Sequence, residues 1–153
     1  GKTPVAQASD LVHQTLLHNL DYAASQLRGA GLNLLIEPIN TFDIPGFHLS
    51  RTQQALELMA QVGASNLFLQ YDIYHAQRME GEIGATLQKH LAQIKHVQLA
   101  DNPGRHEPGT GELNWAYIFD HLDALGYTGH VGCEYKPATQ TLDGLAWRQK
   151  FAL

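Results

Sequence analysis

The sequence predicts an α/β fold: one helix, then four βα units whose short strands lie parallel in a single sheet with the helices outside it. Three observations carry this. Apolar residues recur at three- and four-residue spacing in some segments and run continuously in others, and the two kinds of segment alternate. Glycine turns lead into the strands, whereas much longer connections leave them, as in "PINTFDIPGFHL" and "DNPGRHEPGTGEL". No linker-like or low-complexity tract interrupts the 153 residues, which read as one domain.

The elements follow in order. Val12, Leu16, Leu20, Ala23 and Leu27 mark a first amphipathic helix, capped by Ser9 or Asp10 and ending near Gly29 or Gly31. "LNLLIE", residues 32–37, is a continuous apolar run of the kind found in parallel strands covered on both faces. Ser50 with Gln53 has the pattern of a capping box ahead of Ala55, Leu58, Met59 and Val62, and Gly63 stops that helix before the strand "NLFLQYD", residues 66–72. Ile83, Leu87, Leu91 and Ile94 mark a third helix, weakened at its start by Gly81 and Gly84, and "KHVQLA", residues 95–100, is the next strand. Asn114 caps a fourth run with Trp115, Ile118, Phe119, Leu122 and Leu125, closed by Gly126. "HVGCEY" is the fourth strand, with Val131, Gly132 and Cys133 expected to be buried, and a last helix runs from about Thr141 through Leu145 and Trp147.

Composition narrows the function. A net charge of −5 gives no electrostatic footprint for a nucleic-acid backbone. No apolar run approaches the roughly 20 residues that span a bilayer, so no membrane partner is expected. Cys133 is the only cysteine, so no intrachain disulfide forms and a reducing, cytoplasmic setting is expected.

Each strand ends in a side chain that can bind a cation: Glu37, Asp72, Gln98 and Glu134. In a β/α barrel such residues meet in one mouth at the carboxyl ends of the strands. Three carboxylates and an amide offer oxygen only, which suits Mg²⁺ or Mn²⁺. Any one of them alone could be a helix cap or an ion-pair partner; four in register argue for a metal site. A carboxylate at the end of a buried strand needs a cation beside it, and for Glu134 both Lys136 and a metal ion qualify.

Neighbouring residues add to this set. His75 follows Asp72 closely enough to reach a substrate oxygen, the other reading being a solvated loop histidine. Arg105 and His106 stand in the glycine-rich "PGRHEPGTGE", where a guanidinium can grip a carboxylate with two hydrogen bonds or simply lie on the surface. Lys136 either orients Glu134, neutralises substrate charge or forms a structural ion pair. His48, His96 and His130 read as supporting residues, and Trp115 and Trp147 as core.

"IEPIN", "YDIYHAQ", "HVQLAD", "PGRHEPGTGELN" and "GCEYKP" together resemble the hydroxypyruvate isomerase family of the xylose-isomerase-like barrels, which also contains 2-oxo-tetronate isomerases. The resemblance runs from about Leu32 to Trp147. It implies a divalent metal on Glu37, Asp72, Gln98 and Glu134, the two glutamates as the acid–base pair, and His75 in contact with a small 2-oxo or hydroxy acid substrate. Related ketose 3-epimerases usually carry histidine where Gln98 stands, so Gln98 favours the hydroxypyruvate isomerase branch.

A complete barrel has eight strands and about 250 residues, so four strands read as the C-terminal half of a (β/α)8 TIM barrel, strands five to eight. The chain opens on Gly1 rather than methionine, in keeping with that reading. The expected function is a metal-dependent isomerase that moves a carbonyl along a small acid through an enediolate. The competing readings are a ketose 3-epimerase, an apurinic-site endonuclease of the same superfamily, and a fragment without catalysis. The open edges of a half-barrel sheet further predict a homo-oligomer.

Overall fold

The structure, a computed structural model, describes residues 1–3 and 8–151. Helix α1 (Ser9–Gly29) precedes strand β1 (Leu34–Ile36), helix α2 (Thr52–Val62), strand β2 (Leu67–Asp72), helices α3 (Ile73–Met79) and α4 (Ile83–His90), strand β3 (Ile94–Leu99), helix α5 (Trp115–Ala124), strand β4 (His130–Cys133) and two short helical turns, α6 (Thr141–Gly144) and α7 (Trp147–Lys150). The four strands form one parallel sheet in sequence order, with β1 and β4 at its edges. This is the expected α/β half-barrel architecture.

The sheet has two unlike faces. Leu67, Leu69 and Tyr71 of β2, Ile94, Val97 and Leu99 of β3, and Ile36 of β1 are buried against the helices, with Leu58, Leu87, Trp115, Ile118 and Leu122 opposite them. Burying each such side chain contributes roughly 1.5–3 kcal/mol. Alternation of side chains along a strand sends Phe68, Gln70 and Gln98 to the other face, where they are only partly buried. The strands are thus covered on one face, not two. Likewise β4 is not a buried strand: it is an edge, His130 and Cys133 are exposed, and the side chain of Glu134 just beyond it is 49% exposed.

Several boundaries depart from the sequence expectations for identifiable reasons. Helix α1 begins at Ser9 itself, so Ala8 is the capping position and neither Ser9 nor Asp10 caps; Asp10 lies in the first turn, where a negative charge complements the helix dipole. At α2 the capping glutamine is Gln54, not Gln53, and its Oε1 accepts from the backbone N–H of Ser50 and of Arg51, both at 3.1 Å. The frame is set by Thr52, whose N–H and hydroxyl donate to Glu80 Oε1 at 2.8 and 2.9 Å.

The expected third helix is α4, which ends at His90 rather than running to Ile94, and α3 before it is a further helix that the sequence reading did not include. Gly81, at φ 69°, breaks α3 from α4, and after a single 3-10 turn at Leu91–Gln93 Ile94 begins β3 opposite Leu69. Its isoleucine continues the helical spacing by coincidence. The closing helix is two separate turns, α6 and α7. Asn114 caps α5 as expected, accepting from Tyr117 N–H at 3.2 Å, and both tryptophans are core residues: Trp115 is buried and Trp147 stacks on Phe119 with ring centres 5.9 Å apart.

Candidate active site

Register brings the polar strand ends together. Asp72 pairs with Gln98, Gln98 with Gly132, and the N–H of Glu134 continues the ladder to Leu99 O at 3.1 Å. Glu37, Asp72, His75 and Glu134 each offer one ligand atom, and these atoms lie within 4.8 Å of one another.

Asp72 occupies the junction of β2 and α3. Its Oδ1 caps the helix, accepting from the backbone N–H of Tyr74 at 2.8 Å and of His75 at 3.3 Å. Its Oδ2 is buried without a hydrogen-bond partner among the described residues, as is Oε1 of Glu37. One oxygen of Asp72 is consumed by local structure and the other faces the cluster. His75, one turn into α3, is buried and brings Nε2 to 3.8 Å from both of those carboxylate oxygens.

Gln98 joins through a residue that sequence reasoning missed. Gln70 lies two positions before Asp72 in β2 and therefore on the same face. Its Nε2 donates to Glu37 Oε2 at 2.9 Å and also to Gln98 Oε1. Strand alternation was the signal that could have found it.

The long loop after β3 supplies Arg105. Its Nη2 donates to Glu134 Oε2 at 2.7 Å and stands 3.9 Å from Asp72 Oδ2, and its guanidinium lies over the Tyr74 ring at 5.1 Å. The cation on Glu134 is thus Arg105. Lys136 is exposed, and its backbone N–H donates to Arg105 O at 2.7 Å while its carbonyl lies 2.6 Å from His106 Nδ1. His106 and Lys136 therefore splice the loop to the segment after β4.

That loop is tightly built. Asp101, buried, accepts from the N–H groups of Asn102 at 2.9 Å, Gly109 at 2.8 Å and Leu113 at 3.2 Å. A Cβ at Gly111 would meet Asn102 O at 2.0 Å, so only glycine fits the crossing. Arg105 itself sits at φ 55°, a left-handed conformation that costs a non-glycine residue of order 1 kcal/mol or more, held by these bonds. Buried Glu107 accepts from Ala138 N–H at 3.1 Å and ties the loop to the chain beyond β4.

Burial and mutual repulsion disfavour charge on this cluster. Desolvation, then the charges of Asp72 and Glu134, push Glu37 up to about 7. Asp72 is raised in the same way, chiefly by burial. Burial, then the Arg105 charge, holds His75 down to about 4, so its imidazole is neutral. Two buried carboxylate oxygens without donors, in a cluster of hard oxygen ligands, fit a divalent cation. The arrangement is able to coordinate one.

A parallel half-barrel sheet whose carboxyl ends gather acidic residues able to coordinate a cation defines an α/β barrel class. The profile described as "Xylose isomerase-like TIM barrel" matches residues 5–151, and the chain belongs to that family. Within the family it falls in the hydroxypyruvate isomerase and 2-oxo-tetronate isomerase branch. It is 54% identical over 151 residues to hydroxypyruvate isomerase of Escherichia coli (strain K12), a match covering 99% of this chain and 58% of that protein. It is 45% identical over 137 residues to 2-oxo-tetronate isomerase of Cupriavidus necator, covering 90% of this chain and 53% of the other. The crystal structure of a Brucella melitensis protein described as AP endonuclease, family 2, superposes with a TM-score of 0.91 at 39% identity, over 96% of this chain and 57% of that one. The chain thus spans little more than half the length of these relatives. No described helix is long and apolar enough to cross a membrane.

Proposed function

We propose that the chain is the C-terminal half, strands five to eight, of a metal-dependent isomerase that converts hydroxypyruvate to tartronate semialdehyde or rearranges a closely related 2-oxo acid. The observation that carries this reading is the convergence of Glu37, Asp72 and Glu134 with His75, in a chain 54% identical to hydroxypyruvate isomerase of Escherichia coli. Glu37, Asp72, Gln98 and Glu134 would hold Mg²⁺ or Mn²⁺. When bound, such an ion supplies Lewis-acid polarisation of the substrate carbonyl.

The protein's own groups do the rest. Arg105, whose guanidinium has N–H groups beyond the one given to Glu134, binds the substrate carboxylate, with His106 of the same loop and Lys136 of the segment after β4 beside it. His75 contacts a substrate oxygen. One glutamate of the Glu37 and Glu134 pair takes a proton from the hydroxymethyl carbon, leaving an enediolate. A proton is then returned at the former keto carbon. The hydroxyl proton moves the same way between the two oxygens, so the carbonyl shifts by one carbon with no net redox change. The expected setting is the cytoplasm, in keeping with a lone cysteine.

The test is product analysis on the full-length protein with hydroxypyruvate. An aldehyde isomer formed with Mg²⁺ or Mn²⁺, and turnover reduced roughly 10²- to 10⁴-fold in Glu37→Gln and Glu134→Gln, are the expected results. Epimerised ketose with no aldehyde, or near-full turnover in both variants, would overturn the proposal.

A further inference from the structure

We propose that Asn40 is a positioning residue: it holds the His75 imidazole in the tautomer that carries its proton on Nε2, so that an N–H donor faces the carboxylate cluster. The functional consequence rests on the isomerase reading above, whereas the tautomer follows from the hydrogen bonds around the ring.

Asn40 is fully buried in the loop after β1. Its amide has one orientation that satisfies its neighbours. The N–H of Asp43 donates to Asn40 Oδ1 at 2.8 Å, and Asn40 Nδ2 donates to Asp43 Oδ2 at 3.0 Å. Turning the amide over would set its oxygen against a carboxylate oxygen and its NH₂ against an N–H. Asp43 is itself held by the Tyr74 hydroxyl, which donates to Oδ2 at 2.8 Å, and by Arg78 Nη1, 3.2 Å from Oδ1.

With that orientation fixed, Nδ2 of Asn40 lies 2.6 Å from His75 Nδ1, and the backbone N–H of Asn40 points to the same nitrogen at 3.4 Å. Two N–H groups directed at one ring nitrogen make it the acceptor, and the single proton of a neutral imidazole is then on Nε2. Nε2 stands 3.8 Å from Glu37 Oε1 and 3.8 Å from Asp72 Oδ2, too far for direct hydrogen bonds but suited to an oxygen seated between them. His75 therefore serves as a donor to a substrate oxygen and is not a ligand to the cation, although its ring nitrogen belongs to the same tight cluster.

Long-range proton–nitrogen correlation spectra of the ¹⁵N-histidine-labelled chain read the tautomer directly, with His75 assigned by the peaks lost in His75→Gln. The expected result is a protonated Nε2 and an unprotonated Nδ1 in the unsubstituted protein. In Asn40→Asp, a carboxylate replaces the donor and the proton moves to Nδ1. Protonated Nδ1 in the unsubstituted chain overturns the inference, as does an unchanged Nε2–H pattern in a folded Asn40→Asp variant. Should Asn40→Asp fail to fold, the first spectrum still decides the tautomer. An Nε2–H pattern in a full-length protein that does not isomerise hydroxypyruvate would sink the isomerase reading while supporting the tautomer.

Discussion

Arg105 Nη2 donates to Glu134 Oε2 at 2.7 Å, so the cation beside this carboxylate comes from the loop after β3 and not from Lys136, two residues further along the chain. A positive charge there competes with a metal ion for Glu134, and 3.9 Å away it also faces Asp72. Under the proposed function the same charge would attract the substrate carboxylate. Arg105→Ala in the full-length enzyme should therefore move two affinities in opposite directions. Divalent-cation binding should tighten a few-fold by titration calorimetry. KM for the substrate should rise roughly 10- to 100-fold, the equivalent of the 1.5–3 kcal/mol of a charged hydrogen bond. A KM that does not rise would remove Arg105 from the substrate-binding role.

Asp72 separates its two duties by atom, which makes a clean substitution available. Asp72→Asn keeps an oxygen that can accept from Tyr74 and His75 N–H but removes the charge facing the cluster. Mg²⁺ and Mn²⁺ affinity should fall at least about tenfold with helix α3 intact, since each tenfold loss needs only 1.4 kcal/mol. Asp72→Ala should lose metal binding and, in addition, about 1 kcal/mol of stability from the missing cap. Unaltered metal affinity in a folded Asp72→Asn would exclude Asp72 as a ligand.

The pH dependence of stability follows from the same cluster. Without metal, Glu37 is raised from 4.5 to about 7, and Asp72 is raised as well, so both keep protons that the unfolded chain has released. Each makes the fold less stable as pH rises through that interval. His75, held at about 4 against 6.5, acts oppositely: the unfolded chain binds a proton that the folded imidazole refuses, so its contribution to stability grows between those values. Two carboxylates against one histidine leave the folded state about one proton richer between roughly pH 4.5 and pH 6.5, worth up to about 1.4 kcal/mol per pH unit. The thermal midpoint of the metal-free protein should fall as pH rises across this range. Added Mg²⁺ or Mn²⁺ should flatten or reverse the trend and release protons on binding. A metal-free midpoint that climbs with pH in calorimetric scans would contradict the assignment.

How far the site was legible depended on where its partners lie in the chain. The polar residues Glu37, Asp72, Gln98 and Glu134 could be read because each stands at or beside the carboxyl end of a strand, and parallel βα units align such ends. Asn40 and His75 meet across 35 residues through a loop, and nothing in local spacing announces that contact. Ile94 illustrates the converse. It extends the helical period from Leu91, yet its pairing with Leu69 makes it a strand residue, a tertiary outcome that periodicity does not encode. The expected burial of Glu134 failed for a third reason: apolar neighbours in sequence do not bury a residue whose strand is the edge of the sheet.

Those edges lead to the prediction for this 153-residue chain expressed by itself. Among the described residues the sheet order leaves β1 and β4 with one unpaired side each, and unpaired strand edges are templates for association. An apolar-walled groove of ≈ 340 Å³ runs beside β1, lined by Val12, Leu16, Ile36 and Phe47. Another of ≈ 460 Å³ runs beside β4, lined by Leu99, Phe119, Val131 and Trp147. On the face away from the helices, Leu35 and Phe68 are only partly buried, and covering apolar surface of this kind is favourable by about 25 cal/mol per Å². Two copies that set β1 of one against β4 of the other would cover edges and inner faces together, so a homodimer or larger assembly is expected by light scattering. Leu35→Glu, which charges the inner face without touching the strand-end cluster, should weaken that association at least about tenfold. Each copy would bring its own four strand-end residues and none of the loops of a different first half, so association without efficient isomerisation is the expected behaviour. A stable monomer at micromolar concentration would sink the edge-pairing argument. Turnover of hydroxypyruvate equal to that of the full-length protein would show that four strands suffice for the chemistry.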